Sequence, residues 1–471
     1  GGRRTTRTES DGRHHHGPAV MTATTDTVLA HGVGGSTDLP IPLTYALVGG
    51  VWALILTFAV VAVAWRTPKF DPAKPGRALP KWVTEMVDCP AVRHLLAAIA
   101  LLFAIWVGVA AIWGPQDGDN ALPGSFYVLL WVGLVAISVV VGPIWRVISP
   151  VRTVWQLLGR RRTPNTRRRY PSRWGYWPAA TALFAFVWLE LASPDPGSLT
   201  AIKLWILLYA LAMFVGAAMF GSTWFARADP FEVYSVTVSR LAPFRRNRQT
   251  GRIVLGNPLD HLPTMPVRPG IVAVMAVLLG STAFDSFSQF TGFRNFVDRN
   301  AAGVPVIGEA GGASVLRSLV LLFFVVAVGV SFSAAARATG GLTRIQRRAL
   351  PGQLAHCLIP IVVGYIFAHY LSYLVERGQE TIVRLADPLA RGWHLLGLDS
   401  GDVIYVLSMN PTLLWTIKVA FVVAGHVIGV LAAHDQALRV IPVGHQLTGQ
   451  LAMMAVMVAY TLTGLYLLLG G

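Results

Sequence analysis

Charge is what this chain of 471 residues has least of: only 13% of them are Asp, Glu, Lys or Arg, about half the share of a soluble domain. With 54% hydrophobic residues and a mean hydropathy of +0.55, the chain cannot cover itself with polar surface. Cysteine is nearly absent as well. The two that exist, Cys89 and Cys357, exclude a disulfide framework, and both fall near segment ends expected on the reducing side of a membrane. There is no P-loop, no GxGxxG fingerprint, no HExxH zinc helix and no GxSxG elbow, so mechanisms driven by ATP or built on a nucleophile elbow lose their support. Internal repeats and low-complexity tracts are missing, and the longest polar stretch, about 221–269, is too short for a core of its own.

What is present are apolar blocks of about 20 residues, the length a helix needs to cross about 30 Å of hydrocarbon. Ten spans are expected, at 43–65, 93–113, 126–145, 177–194, 200–220, 270–289, 313–335, 352–375, 411–433 and 447–469. The fold class is therefore all-α: a polytopic integral membrane helix bundle of about ten transmembrane helices with short interfacial helices. Residues 1–42 read as a flexible N-terminal segment, whose first 20 residues resemble a tag or upstream extension, and 43–469 as one transmembrane domain. No secretory h-region precedes Thr44, so the first span is expected to act as the insertion signal.

The formal charge of +16 points to an anionic leaflet rather than to nucleic acid, because the basic residues sit in short loops between spans. Loops alternate in charge. Basic residues run from Arg66 to Arg93 after span 1, from Arg146 to Arg173 after span 3, from Arg227 to Arg268 after span 5 and from Arg337 to Arg348 after span 7. The intervening loops carry Asp117 and Asp119, then Asp195, then Glu376, Glu380, Asp387, Asp399 and Asp402. By the positive-inside rule this makes a multi-pass plasma-membrane protein with both termini extracytoplasmic. Short helices are expected within the loops. Asp229, Pro230 and Glu232 have the spacing of a capping box, ADPLARGWHLLGL from Ala386 starts similarly, and SPVRTVWQLLGRRR from Ser149 is basic and amphipathic, as a helix on headgroups should be.

An ionisable group inside a span is costly unless it faces a partner or water, so such positions are the functional candidates. Span 6 carries Ser281, Thr282, Asp285, Ser288 and Gln289 on one side, and span 8 carries Tyr365, His369, Ser372, Tyr373 and Glu376 at helical spacing. Glu190, Lys203 and Lys418 lie at a similar depth. Carboxylate, imidazole and ammonium at one level could form a single outward-facing site, the alternative being snorkelling or paired interfacial residues. A divalent metal there would draw on His369, Asp285, Glu376, His356 and His426, although no CxxC or HxxxH spacing supports one. Haem is the weaker cofactor reading: His356 and His369 are spaced for two axial ligands, but a matching pair on a second helix is missing.

The segments AHGVGGSTDLPIP (30–42), FYVLLWVGLVAISVVVGPIWRVISPVRT (126–153), WFARADPFEVYS (224–235), LLGSTAFDSFS (278–288), PIVVGYIFAHYLSYLVERGQ (360–379) and GHVIGVLAAHDQAL (425–438) resemble a group of actinobacterial membrane proteins commonly labelled fenitrothion hydrolase. The resemblance implies hydrolysis of an organophosphate triester. In that reading a metal-activated water assembled by Asp285, His369 and Glu190 attacks phosphorus, with Lys418 or Tyr373 stabilising charge on the phosphoryl oxygen. Two other readings stay open: transport of a proton, metal ion or small solute, and a membrane anchor within a redox or transport complex. The expected partners are the bilayer, a small-molecule or ion ligand and a further membrane protein.

Overall fold

Among the residues that the computed structural model describes (1–2, 42–159, 168–247, 249–304, 308–393, 395, 397–398 and 400–470), nine helices are long and apolar enough to cross a bilayer. These are α1 (Leu43–Ala64), α2 (Pro90–Trp113), α3 (Ala121–Val141), α5 (Leu199–Phe220), α6 (Ile271–Ser288), α7 (Gly308–Arg337), α8 (Arg344–Ala386), α9 (Pro411–Val440) and α10 (Thr448–Leu469). The fourth expected span is a shorter helix, α4 (Trp177–Leu191). Its 15 residues rise about 22 Å, less than the hydrocarbon thickness, so ten expected full spans become nine among the described residues. The proposed tag and most of the N-terminal segment lie outside the described residues.

Loop contacts sort the chain into two ends. At the basic end, β1 (Arg77–Ala78) after α1 pairs antiparallel with β3 (Ile253–Leu255), which pairs with β2 (Phe244–Arg246), joining the loops after α1 and α5. Glu232 in the loop after α5 takes ion pairs from Arg146 and Arg152 in the loop after α3. At the other end, Tyr127 near the start of α3 bonds the Pro196 carbonyl after α4, and Arg384 near the end of α8 pairs with Asp119 after α2. Short as it is, α4 therefore runs from the basic end to the acidic end.

The outward surfaces of α2, α5 and α7 are bare Leu, Ile, Val and Phe, with Leu102, Leu207 and Phe323 each more than 60% exposed. Such a surface suits lipid and not water. The inner helices are held by close backbone approach. A β-carbon on Gly364 of α8 would lie 2.5 Å from the Phe421 carbonyl of α9, and one on Gly425 of α9 would lie 2.6 Å from the Pro360 carbonyl. Gly429, one turn on, faces the Cys357 carbonyl, which makes a small-xxx-small seam of the kind that packs helices in lipid. Gly280 of α6 meets the Val325 backbone of α7 in the same way.

Between α5 and α6 the helix Pro230–Val238 is buried along its length. Asp229 caps it, accepting the Phe231 and Glu232 amides, with Pro230 in the first turn as expected. Glu232 does not close a capping box: Arg146 and Arg152 take its carboxylate instead. The helix expected from Ala386 is a turn, because Asp387 spends its carboxylate on the Arg391 and Gly392 amides. Pro150–Gly159 does form a helix, with Leu157 and Leu158 exposed. At the basic end of α9, Asp435 accepts the Lys69 and Phe70 amides from the loop after α1 and pairs with Arg439.

Two helices depart from α geometry. Gly124–Val132 within α3 and Tyr373–Arg377 within α8 are π-helical and pack against each other. Such widened turns concentrate at functional positions.

Candidate functional site

Asp285 lies one turn before the acidic end of α6, 1% exposed, on a helix packed by α4, α7 and α8. Its Oδ2 atom lies 2.9 Å from Nε2 of His369 and accepts the Tyr370 hydroxyl at 2.7 Å, both from α8. Ser286, next to Asp285, puts its hydroxyl 3.3 Å from Nδ1 of the same ring. The imidazole thus bridges a carboxylate and a hydroxyl. With the Nε2–H tautomer it donates to Asp285 and accepts from Ser286; with the proton on Nδ1 it donates to Ser286 and accepts from Asp285 once that carboxyl is protonated.

Glu190 joins this group from α4. It is 7% exposed, its charge interacts with that of Asp285, and its Oε2 atom has no hydrogen-bond partner among the described residues. The side chains of Tyr234, Tyr370 and Tyr373 are close enough to feel the Glu190 charge. Tyr234 comes from the buried helix Pro230–Val238 and packs at a tilt of 31° on Trp131 with centroids 4.8 Å apart; its hydroxyl too lacks a hydrogen-bond partner among the described residues. Two carboxyls, one imidazole and three phenols therefore meet where α4, α6, α8 and that short helix converge. Such groups are costly to leave in an apolar interior, which makes this convergence the candidate site.

The remaining expected residues sit elsewhere. Glu376 accepts the Leu407 and Ser408 amides and the Ser408 hydroxyl, so it anchors the turn before α9 instead of serving as a ligand. Lys418 rests its ammonium 4.5 Å from the centre of the Trp415 ring and is joined to Asp285, His369 and Glu190 by no hydrogen bond or ion pair among the described residues. Lys203 binds the Ala111 carbonyl and the Gln116 side chain. His356 bonds the Gln353 carbonyl and approaches Cys357; His426 donates Nδ1–H to the Val422 carbonyl. Among the described residues no three His, Cys, Asp or Glu side chains converge as metal ligands, so the donor set His369, Asp285, Glu376, His356 and His426 does not fit one ion. His369 bonds Asp285 through Nε2 and His356 bonds the Gln353 carbonyl through Nδ1.

The polar stripes also divide. Ser281 and Thr282 bond back to the Leu278 carbonyl, Ser288 bonds the Asp285 carbonyl, and Tyr365 bonds the Gly464 carbonyl, which leaves Asp285, His369 and Tyr373 as the members that turn toward Glu190. Tyr370, Tyr234 and Ser286 were not anticipated. Each sits one position off a stripe or in a loop segment, and the one available signal was a tyrosine or serine directly beside an intramembrane acid or histidine.

Near the basic end Asp229 is another buried acid. Burial pushes the Asp229 carboxyl up to about 6, against the Trp145 indole N–H at 2.9 Å, which favours the ionised form.

No protein-family model, curated protein or solved structure matches this chain.

Proposed function

We propose that the protein carries protons across the membrane, alone or in step with a solute, through the cluster Glu190, Asp285, His369 and Tyr370. The observation that carries this reading is the shared oxygen: Oδ2 of Asp285 holds His369 and Tyr370 at once, beside Glu190, whose Oε2 has no hydrogen-bond partner among the described residues. An imidazole between a carboxylate and a hydroxyl takes a proton on one nitrogen and releases it from the other. Two carboxyls interacting within hydrocarbon make it costly for both to be charged together, so a proton arriving at one favours departure from the other. The positive-inside reading puts the basic end in the cytoplasm and the cluster in the outer half of the bilayer. Flux measured with a pH dye in liposomes holding only this protein tests the reading. Flux lost in Asp285→Asn and His369→Ala supports it; equal flux in wild type and both variants rejects it.

One observation favours hydrolysis as a second reading. Ser286, His369 and Asp285 are linked hydroxyl to imidazole to carboxylate at 3.3 and 2.9 Å, the constellation that activates a serine nucleophile whatever the chain order. A lipophilic phosphotriester entering from the bilayer would phosphorylate Ser286 and release its phenol. Nitrophenol release that disappears in Ser286→Ala supports this reading, whereas release unchanged in that variant excludes Ser286 as the nucleophile.

A further inference from the structure

A lateral slot of about 430 Å³ lies away from the proton cluster, between α2, α3 and α5. Its walls are almost wholly apolar, with Phe103, Val107, Leu129 and Ile206 along the sides. The floor at the basic end is formed by Trp145, Ile148, Pro150 and Val151, where the interfacial helix begins. At the acidic end the slot finishes at Lys203 and Ile112. From Ala100 to Ile112 along α2 the slot runs about 18 Å, the reach of a long hydrocarbon chain. A slot of this length and volume accommodates one such chain.

Lys203 gives the slot a charged mouth. Its ammonium touches two neutral oxygens, the Ala111 carbonyl at 3.1 Å and Gln116 Oε1 at 3.0 Å, and the ion pairs among the described residues do not include it. A cation at the rim of an oily slot, with hydrogen-bonding capacity left on its nitrogen, complements an anionic head on an apolar tail. We infer that the slot binds one long-chain fatty acid anion, its chain along α2 and its carboxylate on Lys203.

Gly108 makes the site testable, because it lines the slot and a β-carbon placed there meets nothing within 4 Å. Gly108→Phe therefore fills the slot without moving backbone. Radiolabelled palmitate is titrated onto the purified full-length protein in phosphatidylcholine nanodiscs. Saturable binding at one palmitate per chain is expected, lost in Gly108→Phe, weakened at least about 10-fold in Lys203→Gln, and unchanged in Asp285→Asn. Palmitate uptake that does not saturate, or that is equal in Gly108→Phe, means ordinary partition into lipid and overturns the inference. Hexadecanol binding as tightly as palmitate would overturn the role of Lys203, as would a phosphatidylglycerol that palmitate cannot displace. Because Asp285→Asn is expected to abolish flux and to leave palmitate binding intact, failure of either proposal is seen independently of the other.

Discussion

Gly364 of α8 and Gly425 of α9 stand backbone against backbone, their α-carbons in the path of each other's missing side chains, five residues from His369. This contact sets where α8 lies and hence where its imidazole meets Asp285. Gly425→Val would drive a methyl group against the Pro360 carbonyl, now 2.6 Å from the β-carbon position. A cost of about 1–3 kcal/mol is expected for such overpacking. The thermal midpoint in detergent and the proton flux should both fall, while Gly49→Val on α1, where a β-carbon meets nothing within 4 Å, changes neither. Equal midpoints for the two variants would remove the seam as a determinant.

Tyr370→Phe deletes one of the two donors on Asp285 Oδ2 and keeps the ring. Losing a hydrogen bond to a buried carboxylate costs about 1–3 kcal/mol. Flux should fall by less than in Asp285→Asn, because His369 still reaches the same oxygen. A Tyr370→Phe protein as inactive as Asp285→Asn would make the phenol itself a proton carrier.

Asp229 gives the protein a pH-dependent stability of known sign. Its folded pKa of about 6 lies above the ordinary value near 4, so the folded state holds this proton more tightly than the unfolded chain. The stabilisation is complete below about pH 4 and is lost as pH rises through 6. Asp229→Asn keeps a side-chain acceptor for the Phe231 amide and removes the titration, so the decline in thermal midpoint from pH 4 to pH 7 should flatten. A slope that vanishes in the variant assigns the effect to Asp229; an unchanged slope assigns it to other groups.

Glu376 is expected to behave as an anchor. Glu376→Ala strips the acceptor from the Leu407 and Ser408 amides, at a cost of about 1–3 kcal/mol. Hydrogen exchange should accelerate at 405–410 with proton flux retained. Loss of flux without faster exchange there would return Glu376 to the site.

The sequence alone made the helical class legible, because spans of apolar residues and alternating loop charge each report it independently. It also pointed to Asp285, His369 and Glu190, since a charged group in an oily helix has few reasons to be there. Helix rotation was the obscure part. Glu376 and Tyr365 share the stripe of His369 yet turn to a turn of backbone and to Gly464, because a stripe covers a wide arc and each residue on it meets a different neighbour. Tyr370 was hidden for the converse reason: one residue beyond His369, it reaches the same carboxylate oxygen from a different side. The β-sheet was equally illegible, since Arg77–Ala78 is two residues long and takes its meaning from a partner strand far along the chain.

Asp435 binds the Lys69 and Phe70 amides across 365 residues or more. A ribosome delivering this polypeptide makes the loop after α1 long before the aspartate that holds it. The basic side of the bundle therefore closes only after α9 has been made.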